Sequence, residues 1–208
     1  MNLTLASWQR LWGELGAPVA NGGLMNQLVR AYSEPHRHYH TLQHLRECLA
    51  QFEAASMLAR HPAEVELALW FHDAVYEPQR QDNEERSAEW ARASVLAAGC
   101  APEIAERVAA LVLATKSHVA AGDDPDTALL LDIDLAILAA APARFAEYER
   151  QVRSEYAHVA EADFRAGRAR VLQGFLGRDR IYVTDAFRDA LEARARANLQ
   201  SSLSARSS

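Results

Sequence analysis

Apolar residues recur at spacings of three and four along the chain, and no run of residues alternates between apolar and polar as a half-buried strand does. That spacing collects apolar side chains on one face of a helix. Prolines mark several helix starts, where a missing amide hydrogen costs nothing. The sequence therefore predicts an all-α fold, a single-domain helical bundle. We expect helices over residues 3–15, 23–33, 40–55, 62–76, 83–98, 102–117, 126–140, 142–158, 161–176 and 185–201.

Length and composition indicate one domain. The chain has 208 residues, half of them hydrophobic, which is enough for one sizeable core. We expect a domain over residues 1–200 and a disordered, serine-rich tail over residues 201–208. Nothing in the sequence indicates an oligomeric state.

The net charge and the cysteine content indicate which binding partners and which cellular compartment to expect. A net charge of -6 disfavours binding to nucleic-acid polymers and to anionic membranes. No stretch offers the roughly 20 apolar residues that cross a bilayer, and residues 1–15 lack an uninterrupted signal-peptide core. Cys48 and Cys100 fall on apolar helical faces, where a thiol behaves as a small buried hydrophobe. These features predict a cytoplasmic protein.

Ionisable residues interrupt several of the predicted apolar faces. His44 shares a face with apolar residues of helix 40–55, and His72 ends the apolar face of helix 62–76, with Asp73 beside it. Asp134 lies on an apolar face of helix 126–140. A single inward histidine is more often a hydrogen-bonded core residue, and a single inward aspartate is often a helix cap. Several together favour a shared metal ion, because buried charges need a partner.

The order His44, His72-Asp73, Asp134 resembles the H…HD…D signature of the HD superfamily of metal-dependent phosphohydrolases. The surrounding strings are similar to one bacterial branch of predicted phosphohydrolases of about this length. These strings are Tyr39-His40-Thr41-Leu42-Gln43-His44, Trp70-Phe71-His72-Asp73-Ala74-Val75-Tyr76, Asn83-Glu84-Glu85-Arg86-Ser87-Ala88, Thr115-Lys116-Ser117-His118 and Asp132-Ile133-Asp134-Leu135. The resemblance runs from about Ser33 to Asn198.

This resemblance implies an HD-type helical bundle with a central metal, and hydrolysis of a phosphate ester or anhydride of a small molecule such as a nucleotide. The implied metal ligands are His44, His72, Asp73 and one aspartate of Asp132-Ile133-Asp134. We choose Asp134, since apolar helical positions follow it, and assign Asp132 to a supporting or capping role. Two imidazoles and two carboxylates suit Mn²⁺, Fe²⁺, Co²⁺, Ni²⁺ or Zn²⁺, while Mg²⁺ favours oxygen ligands.

Further residues are candidates for catalysis and substrate binding. Asp73 would orient a metal-activated water, and His118, Glu84 and Lys116 are candidates for an acid, a second-metal ligand or a phosphate contact. The alternatives are a core histidine for His118 and solvated helix-end charges for Glu84 and Lys116. Arg37 is a candidate for binding phosphate at the mouth of the site, or an exposed loop residue.

Two other functions fit the same pattern. An HD-type di-iron oxygenase would use Glu84 and His118 as extra ligands. A non-catalytic ligand-binding HD module would keep the fold without the chemistry, and it is disfavoured because all four signature positions are filled.

Overall fold

The computed structural model describes residues 3–119 and 123–206, with ten α-helices and no β-strand in those ranges. The helices are α1 (Leu5–Glu14), α2 (Gly22–Ala31), α3 (Leu42–Ala55), α4 (Pro62–Phe71), α5 (Asn83–Ala97), α6 (Pro102–Ala114), α7 (Pro125–Asp134), α8 (Pro142–Glu155), α9 (Glu161–Leu176) and α10 (Asp185–Arg206). Short 3₁₀ helices cover Ser56–Leu58 and Leu135–Ala139. The predicted all-α fold is confirmed.

Helix α4 lies at the centre of the bundle and packs against α1, α3, α5, α6 and α7. Its residues from Glu64 to Phe71 are all buried, including two glutamates that pair with arginines of neighbouring helices. One continuous cluster of buried residues extends from Trp8 to Leu199, so a single core supports the structure. The residue that follows α4 is therefore held inside the protein.

Helices α4 and α7 each end at least five residues before the predicted end, because side chains distant in sequence bind the carbonyl oxygens that follow. Helix α4 ends at Phe71 instead of residue 76, and Arg37 donates to the carbonyl oxygens of Asp73 and Ala74 in the turn that follows. Helix α7 ends at Asp134 and continues as a 3₁₀ helix, where Tyr182 and Asn198 donate to the carbonyl oxygens of Leu135 and Leu138. Both ends coincide with candidate metal ligands, so these side chains project from helix termini.

The prediction of a disordered tail from Ser201 is wrong for residues 201–206, which form the last turns of α10. Leu203 packs against the core, and the Ser202 hydroxyl donates to a carboxylate oxygen of Glu149 at 2.9 Å. Residues 207–208 lie outside the described part of the chain.

Among the described residues, no helix combines the length and the apolar character that spanning a membrane requires.

Candidate metal centre

His44 is held in the first turn of α3. The helix begins after Thr41, whose hydroxyl accepts a hydrogen bond from the amide of Gln43. The His44 side chain is 2% exposed, and its Nδ1 lies 3.0 Å from the hydroxyl of Tyr39. Its Nε2 is therefore the atom directed at the other candidate ligands.

His72 immediately follows α4, and its tautomer is set by the backbone. Its Nδ1–H donates to the carbonyl oxygen of Leu69 at 2.8 Å, because a carbonyl can only accept. In the neutral ring, Nε2 then carries a free lone pair. Metal-binding histidines in proteins are usually oriented in this way, with the second nitrogen bonded to an acceptor.

Four donor atoms converge at this point. His44 Nε2 and His72 Nε2 are 3.0 Å apart. Asp73 Oδ2 lies 3.0 Å from His72 Nε2 and 3.4 Å from His44 Nε2. Asp134 Oδ1 lies 3.2 Å and 3.6 Å from the nitrogens of His44 and His72, respectively. Ligands about 2.1 Å from one ion lie about 3.0 to 3.4 Å from each other, so these spacings fit a shared ion.

The chemistry of the donor set also fits a cation. Two neutral imidazole lone pairs facing two carboxylates bring four electron-pair donors together, and this arrangement is stable only with a positive charge between them. A divalent ion or protons can supply that charge. The predicted ligands His44, His72, Asp73 and Asp134 are thus brought together.

The pKa shifts of the two histidines also indicate that the site favours a positive charge. Burial lowers the pKa of His72, but the adjacent Asp73 and Asp134 outweigh burial and raise it. Burial is likewise outweighed at His44, where Cys48, Tyr39 and the carboxylates raise the pKa well above its ordinary value. The carboxylates therefore favour a positive charge at the imidazoles, and a metal ion would compete with protons for these nitrogens.

The pKa values of both aspartates shift in the opposite direction. Burial alone would raise them, but His72 beside Asp73 and His118 beside Asp134 hold both pKa values well below the usual range. Both carboxylates are therefore ionised, as metal ligands must be.

His118 lies beside the centre, as predicted. Its Nε2 is 2.9 Å from Asp134 Oδ2, the carboxylate oxygen that does not face the two imidazoles. The His118 backbone adopts the left-handed conformation, with φ at 48°, which is uncommon for a residue with a side chain. Arg178 donates to the His118 carbonyl oxygen at 2.7 Å and supports that conformation.

The structure distinguishes Asp132 from Asp134. Asp132 is fully buried, and its carboxylate accepts hydrogen bonds from the amides of Val183 and Thr184 and from the Thr184 hydroxyl, all at 2.7 Å. It therefore anchors the segment before α10, and Asp134 is the aspartate that faces the imidazoles.

Arg37 does not have the position predicted for a phosphate contact. It is buried, and its guanidinium donates to the carboxylate of Glu34 and to the carbonyl oxygens of His40, Asp73 and Ala74. It positions the turn that carries Asp73. Sequence alone could not reveal this role, because two of its partners lie more than 35 residues away.

Lys116 and Glu84 are not joined to the centre. The Lys116 ammonium group pairs with Glu85 and donates to the carbonyl oxygen of Gln81 at 2.8 Å. Glu84 is half-buried in the first turn of α5, and no hydrogen bond or ion pair within the described ranges links it to a candidate ligand. Lys116 thus matches the solvated helix-end alternative, and Glu84 is consistent with it.

Cys48 is a member of the cluster that the sequence interpretation missed. One ligand atom from each of His44, Cys48, His72 and Asp134 lies within 4.8 Å of the others, so these residues could hold a metal ion. Asp73 falls outside that compact set, although its oxygen approaches both imidazoles closely, and we retain it on those distances. The missed signal was the position of Cys48, one helical turn after His44 on the same face.

A cavity of about 220 Å³ adjoins the centre. His44, Cys48 and Asp134 belong to its wall, together with apolar residues of the 3₁₀ helix Leu135–Ala139 and two arginines, Arg144 and Arg194. Glu47 also lies in the wall and pairs with Arg144, so the cavity carries charges of both signs beside the candidate ligands.

Comparison of the chain with models of protein families, with curated proteins and with solved structures finds no match. The similarity to the HD superfamily thus remains an interpretation of the sequence strings.

Proposed function

We propose that the chain is a metal-dependent phosphohydrolase that cleaves a phosphate ester or anhydride of a small molecule, such as a nucleotide. The observation that carries the proposal is the convergence of His44, His72, Asp73 and Asp134 within ion-sharing distances. The HD-type order of these residues supplies the reaction class.

Partial exposure of the carboxylates supports catalysis over a purely structural ion. The side chains of Asp73 and Asp134 are 19% and 12% exposed, whereas both histidines are almost completely buried. The centre is therefore open on its carboxylate side, and catalytic metal sites keep such an open position.

A divalent ion held there would supply Lewis acidity and a water of lowered pKa. The residues of the chain would then have the following roles. His44, His72, Asp73 and Asp134 would hold the ion, and the Asp73 carboxylate would also accept a hydrogen bond from the attacking water and orient it. His118 Nε2 donates to Asp134 Oδ2 and fixes that carboxylate.

The cavity beside the centre suits an anionic organic substrate. Arg194 replaces Arg37 and Lys116 as the candidate for phosphate recognition, since it lines the same space as His44 and Asp134 while the neighbouring Arg144 is paired with Glu47. The apolar part of the wall would accept the organic portion of the substrate.

The experiment measures phosphate release from a panel of nucleotides and sugar phosphates. Activity should vanish with a chelator and return with Mn²⁺, Co²⁺ or Zn²⁺. Asp73→Asn should abolish it, and His158→Ala, which changes an exposed histidine, should not. Absence of metal-dependent release from every substrate, together with oxygen consumption by iron-loaded protein, would favour the oxygenase. Absence of both activities would favour the binding module.

A further inference from the structure

The imidazole of His40 is held in one orientation by Glu155 and Tyr76. Its Nδ1 lies 2.8 Å from a carboxylate oxygen of Glu155, and its ring stacks on the ring of Tyr76 with the two centres 4.0 Å apart. The pKa of Glu155 is lowered to about 2, so its carboxylate is ionised and can only accept a hydrogen bond. Nδ1 of His40 therefore carries a hydrogen, and Nε2 is the nitrogen directed away from Glu155.

Nε2 of His40 is available to a ligand. Within residues 3–119 and 123–206, this nitrogen takes part in no hydrogen bond or ion pair, since both interactions of the ring with Glu155 use Nδ1. The side chain is 23% exposed, so a small molecule in solution can reach the ring. A histidine that served only to close the Glu155 cluster would use Nδ1 alone, and the second nitrogen is left over.

His40 lies next to Asp73 on the open side of the candidate metal centre. One guanidinium nitrogen of Arg37 donates to the carbonyl oxygens of both His40 and Asp73, at 3.2 Å and 2.6 Å. The ring centres of His40 and His44 are 6.0 Å apart. Burial raises the pKa of Asp73, but His72 and then His40 outweigh burial and lower it. His40 therefore neighbours the carboxylate that is 19% exposed at the centre.

We propose that His40 contacts the phosphoryl group of the substrate through Nε2. With a hydrogen on each nitrogen, the ring donates through Nδ1 to Glu155 and through Nε2 to a phosphoryl oxygen, and the Glu155 carboxylate balances the charge of the ring. The carboxylates of Asp73 and Asp134 repel an anionic substrate, and a cationic donor beside Asp73 offsets that repulsion. No covalent bond to His40 forms or breaks. This inference rests on the proposed function, because it assigns a contact within the same site.

Two substitutions separate the contact from the bond to Glu155. His40→Asn keeps a nitrogen near the position of Nδ1 and removes Nε2, whereas His40→Gln keeps a nitrogen near the position of Nε2 and removes Nδ1. Inorganic phosphate is titrated into the zinc-loaded full chain by calorimetry, and stability is measured by urea unfolding. His40→Asn should bind phosphate about ten- to a hundredfold more weakly and keep the wild-type unfolding midpoint. His40→Gln should lose more stability than phosphate affinity.

His38→Ala is the matched control, because His38 lies in the same loop with an exposed side chain, and it should change neither quantity. Bound zinc is measured in every variant. Wild-type phosphate affinity in His40→Asn would overturn the contact and leave metal-dependent hydrolysis untouched. Loss of zinc together with phosphate binding in His40→Asn would also overturn it, since His40 would then support the ion.

A measurement on the wild type keeps the proposal testable even if His40→Asn fails to fold. Phosphate added to the zinc-loaded protein should shift the nuclear magnetic resonance signal of His40 Nε2 and leave that of His38 unchanged. Phosphate binding without a shift at His40, or no phosphate binding at all, would overturn the contact. The proposed function is judged separately, by phosphate release from the substrate panel.

Discussion

The candidate metal centre and the cluster around Glu155 are both buried sets of charged groups, but they differ in what satisfies their charge. The Glu155 carboxylate accepts hydrogen bonds from the backbone amides of residues 38–40 at 2.7 to 2.9 Å. It also accepts from His40 Nδ1 at 2.8 Å and from the Tyr76 hydroxyl at 2.9 Å. In the metal centre, imidazole lone pairs and carboxylates face each other. A buried carboxylate that accepts hydrogen bonds from the protein's own donors plays a structural role. A buried set of acceptor atoms that face one another requires a cation.

The largest effect is expected when a ligand of the metal centre is removed. His72→Ala leaves the ion without one imidazole and without the orientation that Leu69 provides. Bound metal should fall from about one ion per chain to near zero. Plasma mass spectrometry of tag-free protein measures this.

His158→Ala and Glu103→Gln, which change exposed side chains, serve as controls and should keep their metal. Unchanged metal content in His72→Ala would show that the centre does not bind metal through this ligand, and the contrast with the Glu155 cluster would fail.

The second effect is on acid stability and tests the Glu155 cluster. Burial raises the pKa of Glu155, but His40 and the donating amides outweigh burial and lower it to about 2 from an ordinary 4.5. The resulting stability, about 3 kcal/mol, is fully present above about pH 4.5 and is lost as the pH falls through about 2. Urea unfolding of wild type and Glu155→Gln over this range measures it.

Glu155→Gln should be less stable at neutral pH and should show a flatter acid dependence than the wild type. Glu103→Gln, which alters an exposed glutamate, should follow the wild-type curve. Parallel curves for Glu155→Gln and the wild type would mean that the cluster contributes no acid-sensitive stability.

Much of the fold followed from local signals. Helix starts at Pro62, Pro102 and Pro142 were predicted to the residue, because proline fixes the first turn. The inward positions of His44 and Asp134 followed from helical periodicity. The predicted ends of α4 and α7 were wrong, because the hydrogen bonds that end them come from residues distant in sequence.

The site predictions that were wrong or incomplete share a physical cause. An arginine in a loop gives no sign of the carbonyl oxygens it will bind, and a cysteine on an apolar face is indistinguishable from a buried hydrophobe. Arg37 was therefore placed at the mouth of the site, and Cys48 is buried in the core as expected, but its contact with His44 was missed. The sequence left Lys116 open between a substrate contact and a helix-end charge, because its partner Glu85 lies on another helix.

A smaller effect is expected at the edge of the metal centre. His118→Ala removes the hydrogen bond to Asp134 Oδ2 but no atom that faces the two imidazoles. The number of bound ions should stay the same, while the metal affinity falls about ten- to a hundredfold. Isothermal titration with Zn²⁺ measures both, with Ser117→Ala as the neighbouring control. A drop from two ions to one would mean that His118 itself binds a second ion.

The smallest effect is expected at Lys116. Its ion pair with Glu85 is exposed on both sides, and such pairs contribute little. Lys116→Ala should leave the thermal midpoint within about 2 °C of the wild type and leave any metal-dependent phosphate release unchanged. If Lys116→Ala lost phosphate release but kept its thermal midpoint, Lys116 would be a substrate contact.

Arg37 connects the metal centre to the loop between α2 and α3, because its guanidinium bridges that loop to the backbone of Asp73 and Ala74. Occupancy of the centre and local opening of the loop are therefore thermodynamically linked. An ion that holds Asp73 in place would slow hydrogen exchange in the loop, and opening of the loop would weaken ion binding by the same coupling free energy.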